Sequence, residues 1–139
     1  MAGDTEAALA LPETVEWQGK TLKLSPITLK IEALFTRQLM GRVSDGLRLC
    51  RTDLGEDAYR DALQGFRDDV AAYEFEWNGR VCRAATRTDA GLRDVAYLCL
   101  AELQPEFTRP QMLAIEANRE KFTEVLGKLR HLSQLPKNG

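Results

Sequence analysis

The chain contains little of what metal sites and nucleophilic active sites are built from. It has one histidine, His131, and three cysteines, Cys50, Cys82 and Cys99, which lie far apart in the sequence. A zinc site needs closely spaced cysteine and histidine ligands, so these spacings exclude the usual zinc motifs. Each cysteine has apolar neighbours, which predicts structural thiols in a reducing compartment.

Motifs for catalysis and phosphate binding are also missing. The sequence has no phosphate loop, no dinucleotide-binding glycine motif, no zinc-protease helix and no nucleophile elbow. Close carboxylates occur at Asp68 with Asp69 and at Glu74 with Glu76. They could bind a cation, act as a general acid and a general base, or be charges on a solvated face. The first pair lies on the polar side of a predicted helix, which favours the solvated face. We therefore expect no catalytic residue, no metal ligand and no cofactor.

The chain also lacks a strong excess of charge of one sign and a long apolar run. Its 19 Lys and Arg and 21 Asp and Glu give a formal net charge of -2. Without a field that gathers phosphates, nucleic-acid binding is disfavoured. No apolar run reaches the length of a membrane span, and residues 1–6 are acidic where a secretory signal is basic. These features predict a cytoplasmic protein without membrane association.

The composition that remains is that of a folded protein. A chain of 139 residues that is 44% hydrophobic is long enough for one domain with a real core. We expect a mobile N-terminal arm over residues 1–12, a globular domain over residues 13–132 and a C-terminal tail over residues 133–139. The domain has two candidate halves, residues 13–72 and 73–132.

Two segments have the alternation and the turn residues of β-hairpins. One turns at Gln18-Gly19 and the other at Asn78-Gly79, a strong type I′ signal. The two segments align without a gap, because residues 15–20 of the first correspond one by one to residues 75–80 of the second. Either the chain carries a duplicated hairpin-helix-helix unit, or short hairpin patterns recur by chance. Trp17 and Trp77 lie beside basic residues, which suits a nucleic-acid stacking platform, but their strand phase favours the core.

Apolar periodicity predicts four main helices, at about residues 28–40, 55–72, 89–104 and 109–131. Start and stop signals support them: Gly41 as a C-cap, a capping box from Asp53 to Glu56, Thr88 as an N-cap, and Thr108 with Gln111 as a capping box around Pro110. Residues 43–50 form a further, weaker helical stretch. The predicted fold is α+β, mainly α, with two short hairpins packed on about four helices. We expect five residues to be buried: Leu63, Phe66, Trp77, Leu98 and Cys99.

Three segments resemble phage tail assembly chaperones. Residues 90–100, the corner at residues 104–108 and the long helix through Asn118 and Phe122 are similar to the second half of those proteins. Residues 19–28, with Pro26 after a short strand, resemble their opening. The resemblance implies a cytoplasmic, non-enzymatic protein that binds the tape-measure protein and keeps it soluble until tail-tube subunits replace it.

The sequence is also compatible with other functions. A minor virion structural protein, such as a head-tail or tail-tube completion protein or connector, is the second hypothesis. Two further hypotheses are a small nucleic-acid-binding regulator and an enzyme without known motifs. For a protein partner, the candidate binding residues lie on the last helix and the tail, where an apolar pattern continues past Gly127: Phe122, Leu126, Leu129, Leu132 and Leu135. The other interpretation is that Leu132 and Leu135 close the core.

Overall fold

The computed structural model describes residues 12–133, in which one hairpin is followed by seven helices. The elements are β1 (Glu13–Trp17), β2 (Lys20–Leu24), α1 (Leu29–Leu49), α2 (Arg51–Leu54), α3 (Glu56–Ala71), α4 (Arg80–Ala85), α5 (Asp89–Leu103), α6 (Arg109–Ala117) and α7 (Arg119–Ser133). The predicted α+β class, mainly α, is confirmed. Apart from Pro12 and Ser133, the predicted arm and tail lie outside the described residues.

The first hairpin forms where its turn residues predict it. Gln18 and Gly19 have φ values of 50° and 77°, the positive pair that a type I′ turn requires. The turn sets an antiparallel register in which Val15 lies opposite Leu22. Because side chains alternate along a strand, both residues enter the core, together with Leu24.

The second predicted hairpin is wrong, and with it the duplicated unit. Asn78 has a φ of 73°, but Gly79 has a φ of -70° and is the N-cap of α4. A type I′ turn needs positive φ at both positions, so the chain leaves this geometry. It folds back instead, and the Val81 amide donates to the Glu74 carbonyl at 2.9 Å. This irregular segment, followed by a helix, buries Phe75 without forming strands.

Helix α5 occupies the centre of the core. It contacts α1, α4, α6, α7 and β2, and Leu98 and Cys99 are buried as predicted. Its C-terminal end also completes the edge of the hairpin. The Lys23 amide donates to Gln104 Oε1 at 2.9 Å, and Gln104 Nε2 donates back to the Lys23 carbonyl at 2.7 Å. The side chain of Gln104 thus replaces a third strand, and it ties β2 to the helix.

The predicted starts of the helices agree with the structure better than the predicted ends. The hydroxyls of Thr28, Thr88 and Thr108 each accept an amide hydrogen bond at the start of α1, α5 and α6, and the capping box with Gln111 is present. The predicted C-cap at Gly41 is wrong, because α1 continues to Leu49. A single glycine costs a helix only about 1 kcal/mol, and packing of α3 against α1 offsets such a cost.

Two further boundaries differ from the prediction. The capping box from Asp53 to Glu56 does not form, because Asp53 lies inside α2 and Gly55 precedes α3 with a φ of 83°. The last helix is interrupted at Asn118, which separates α6 from α7. Asn118 Oδ1 accepts the Lys121 amide at 3.0 Å, so its side chain satisfies an amide at the start of a new helix.

Candidate functional site

The structure uses most of the sequence-predicted binding residues in the core. Phe122, Leu126 and Leu129 are buried, and Leu132 is partly buried against the same core. Leu135 lies outside the described residues. The three buried side chains present no surface to a partner in this state. A binding role for Leu132 and Leu135 stays a prediction.

A different segment projects from the core, which we call the helical arm and define as residues 40–73. It comprises the second half of α1, all of α2 and α3, and the turn after α3. No residue between 40 and 73 is fully buried, whereas the first half of α1 places Ile31 and Phe35 in the core. The burial predicted for Leu63 and Phe66 is therefore wrong, since both are half-buried. Helix α3 packs mainly on α1 and α2, which cover only one side of it.

Exposed apolar side chains are concentrated on the helical arm. Large exposed hydrophobic residues within it are Val43, Leu49, Leu54, Val70 and Tyr73. Leu49 is 82% exposed and Tyr73 is 72% exposed, values at which a side chain gains little from burial. These side chains offer apolar contact points along the arm to which another protein can bind.

An ion pair spans the tip of the helical arm. Arg51 Nε lies 3.1 Å from Glu56 Oε1 and Arg51 Nη2 lies 3.2 Å from Glu56 Oε2, a bidentate contact that spans Gly55. This hydrogen bonding lowers the pKa of Glu56 and raises the pKa of Arg51. The same guanidinium lies 4.9 Å from the centre of the Tyr59 ring. These contacts join α2 to the start of α3.

A second ion pair holds the base of the helical arm. Arg80 Nη2 lies 2.7 Å from Asp69 Oδ1, and Arg80 Nε lies 3.5 Å from Glu74 Oε2. The hydrogen bond to Asp69 is the main cause of the raised pKa of Arg80. Beneath it the rings of Phe66 and Phe75 meet edge to face, with centroids 5.5 Å apart. Two of the carboxylates considered as cation ligands are therefore paired with an arginine of the chain.

The tryptophans and two of the cysteines belong to the core or its margin. Trp17 and Trp77 are partly buried against it, and the Trp77 ring lies edge-on to Phe35 at 5.9 Å, so the full burial predicted for Trp77 is wrong. Cys82 and Cys99 are buried, and burial raises the pKa of Cys99 to about 12. Neither thiol forms a thiolate near neutral pH.

Cys50 differs from the other two cysteines because it is exposed. It lies between α1 and α2, where its apolar sequence neighbour Leu49 also faces solvent. An apolar neighbour in the sequence therefore did not indicate burial at this position.

Within residues 12–133, none of the helices has the length and apolar character needed to cross a bilayer.

Sequence reasoning missed the helical arm although the sequence held a signal for it. Seven of the 16 residues of α3 are charged, which leaves a narrow apolar stripe typical of a surface helix. The spacing of apolar residues alone predicts burial of this helix. Comparison of the chain with protein-family models, with curated proteins and with solved structures finds no match in any of the three.

Proposed function

We propose that the protein is a phage tail assembly chaperone, which binds the tape-measure protein and keeps it soluble while the tail is assembled. One observation supports this proposal above others: the helical arm carries five large apolar side chains in solvent. The sequence resemblance to tail assembly chaperones supplies the identity of the partner. No catalytic chemistry is required of the chain.

The physical basis of this function is the docking of one amphipathic helix on another. A long helical tape-measure chain exposes apolar stripes before the tail tube encloses it, and such stripes associate with one another when uncovered. Side chains such as Leu49 and Leu54 supply an apolar surface that covers part of a stripe. Release is also required, and a contact through a few exposed side chains dissociates more readily than an obligate interface.

Co-expression with the tape-measure protein of the same phage tests the proposal. With the intact chain, we expect the tape-measure protein to be recovered in the soluble fraction and to elute together with the chaperone. A Leu49→Ser, Leu54→Ser double variant should lose this effect, because it removes apolar contact area from the helical arm without altering the core.

The matched control is a Leu29→Ser, Leu103→Ser double variant, which changes two exposed leucines outside the helical arm. It should retain the tape-measure protein, and both double variants should lower the thermal midpoint by a similar, small amount, because all four leucines lie in helices and serine is a weaker helix former. If the intact chain never retains the tape-measure protein, the chaperone assignment is wrong. If the arm variant retains it and a Leu132→Ser, Leu135→Ser variant does not, binding occurs through the final helix and the tail.

The composition of finished particles distinguishes this proposal from the second hypothesis. A chaperone leaves when tail-tube subunits enclose the tape-measure protein, whereas a completion protein or connector stays in the virion. We expect the chain to be absent from purified particles by mass spectrometry and present in lysates of infected cells. Recovery in purified particles at a fixed copy number would instead establish the structural role.

A further inference from the structure

A pocket of about 200 Å³ opens where α1, α5 and α6 meet. It is lined by Arg42, Arg93, Asp94, Arg109, Met112 and Leu113. Three arginines from three different helices thus surround a single carboxylate beside an apolar wall. The proposed chaperone function assigns no role to this pocket.

Asp94 gathers the three guanidinium groups. Its side chain is only 1% exposed, and Arg42 Nη2 is in ion-pair contact with Oδ2. Arg93 Nε lies 3.4 Å and Arg109 Nη1 lies 3.5 Å from Oδ1. These last two distances are at the long limit for a hydrogen bond, so Asp94 positions the arginines without using most of their donors.

The pocket carries an excess of positive charge. Arg93 also lies 3.2 Å from Glu116, so three guanidinium groups face two carboxylates among the described residues, which leaves a net charge of +1. Arg42 and Arg109 retain 49% exposure of their side chains, so their remaining donors are open to a ligand. Arg109 is held in place by the Tyr97 ring, whose centre lies 4.4 Å from the guanidinium carbon.

We propose that this pocket binds the carboxylate of an acidic side chain on a protein partner. Arginine binds carboxylates through two parallel hydrogen bonds, and Arg42 and Arg109 are presented for this contact. The volume is below that of pockets for drug-sized ligands, which run from about 300 Å³ upward, so it suits one side chain. Met112 and the half-exposed Leu113 offer an apolar wall to the aliphatic stem of a glutamate.

A short peptide titration of the full-length chain tests this inference without the tape-measure protein. The arginine Nε–Hε signals of the labelled protein are followed by NMR during addition of acetyl-Leu-Glu-Leu-amide, acetyl-Leu-Gln-Leu-amide or inorganic phosphate. We expect the glutamate peptide to shift the Arg42 and Arg109 signals in a saturable way. The glutamine peptide should bind at least about tenfold more weakly, because it lacks the charge.

Matched arginine variants separate binding from a purely structural network. Arg109→Gln should weaken the glutamate peptide about tenfold or more, and Arg119→Gln should not. Arg119 is a close control, since it also contacts an aspartate and lies over an aromatic ring. If Arg109→Gln does not fold, Arg109→Lys keeps the charge, and it should still weaken binding because the two-donor contact is lost.

Three results would overturn the inference. The first is equal binding of the glutamate and glutamine peptides, and the second is phosphate binding without binding of the glutamate peptide. The third is the absence of arginine shifts at millimolar peptide. Each of these outcomes is independent of whether the chain retains a tape-measure protein, so the two proposals fail separately.

Discussion

At the scale of single residues, the position of a side chain on α5 decides how much it contributes to stability. Leu98 and Leu100 are buried between the hairpin and the neighbouring helices, while Leu103, at the end of the same helix, is 40% exposed. The three are chemically identical, so their differences arise from packing alone. A buried leucine loses both transfer free energy and contacts when it is truncated, because the surrounding core collapses only in part.

We expect Leu98→Ala to lower the free energy of unfolding by about 2–5 kcal/mol and Leu103→Ala to lower it by less than about 1 kcal/mol. Urea denaturation of the two variants and of the unmodified chain measures both changes. Equal losses at the two positions would contradict the central place of Leu98 in the core.

At the scale of elements, glycine has opposite roles in two helices. A Cβ built on Gly91 in α5 would lie 2.0 Å from the carbonyl oxygen of Ala85, at the end of α4. The missing side chain lets α4 and α5 approach closely across the short turn between them. Gly65 in α3 has no heavy atom within 4 Å of such a Cβ, so nothing there requires a glycine.

Alanine at these two glycines should therefore shift stability in opposite directions. Gly91→Ala forces the backbone apart and should cost at least about 1–3 kcal/mol. Gly65→Ala removes the entropic penalty of glycine in a helix and should add about 0.5–1 kcal/mol. Thermal unfolding followed by circular dichroism gives both signs, and a stabilising Gly91→Ala would show that α4 and α5 are not in close contact.

At the scale of the whole molecule, stability is distributed unevenly. The hairpin, the first half of α1, Phe75 and helices α4 to α7 hold most of the buried side chains, whereas the helical arm contributes none that is fully buried. Segments with few buried apolar contacts open at a lower free energy than the core. The arm that presents the proposed binding surface is therefore also the part that adapts most easily to a partner.

Hydrogen exchange should resolve this difference. Amides of α3 are expected to exchange at least about tenfold faster than amides of α5, since local opening of the arm leaves the core intact. Mass spectrometry of peptic fragments measures both helices in one experiment, and addition of the bound partner should slow α3 selectively. Equal protection of α3 and α5 in the free protein would mean that the arm and the core unfold as one unit.

Signals that act over a few residues determined much of the fold from the sequence. The Gln18-Gly19 turn and the caps at Thr88 and Thr108 form as predicted, because each is satisfied by hydrogen bonds within about four residues of its own position. The α+β class, mainly α, follows from the same signals. The central, buried place of α5 was also predictable, since its apolar residues cover most of its surface.

Tertiary structure decided what these local signals leave open. The Asn78-Gly79 turn had no sequence feature to show that Phe75 would be anchored in the core and that a helix would follow at Arg80. Helix α3 is only half-buried because few elements cover it. The periodicity of its apolar residues does not specify how many neighbouring elements a helix has. The candidate sites follow the same rule: Arg42, Asp94 and Arg109 meet only because three separate helices pack together. Burial and ion pairing depend on segments far apart in the chain, so the sequence alone did not reveal them.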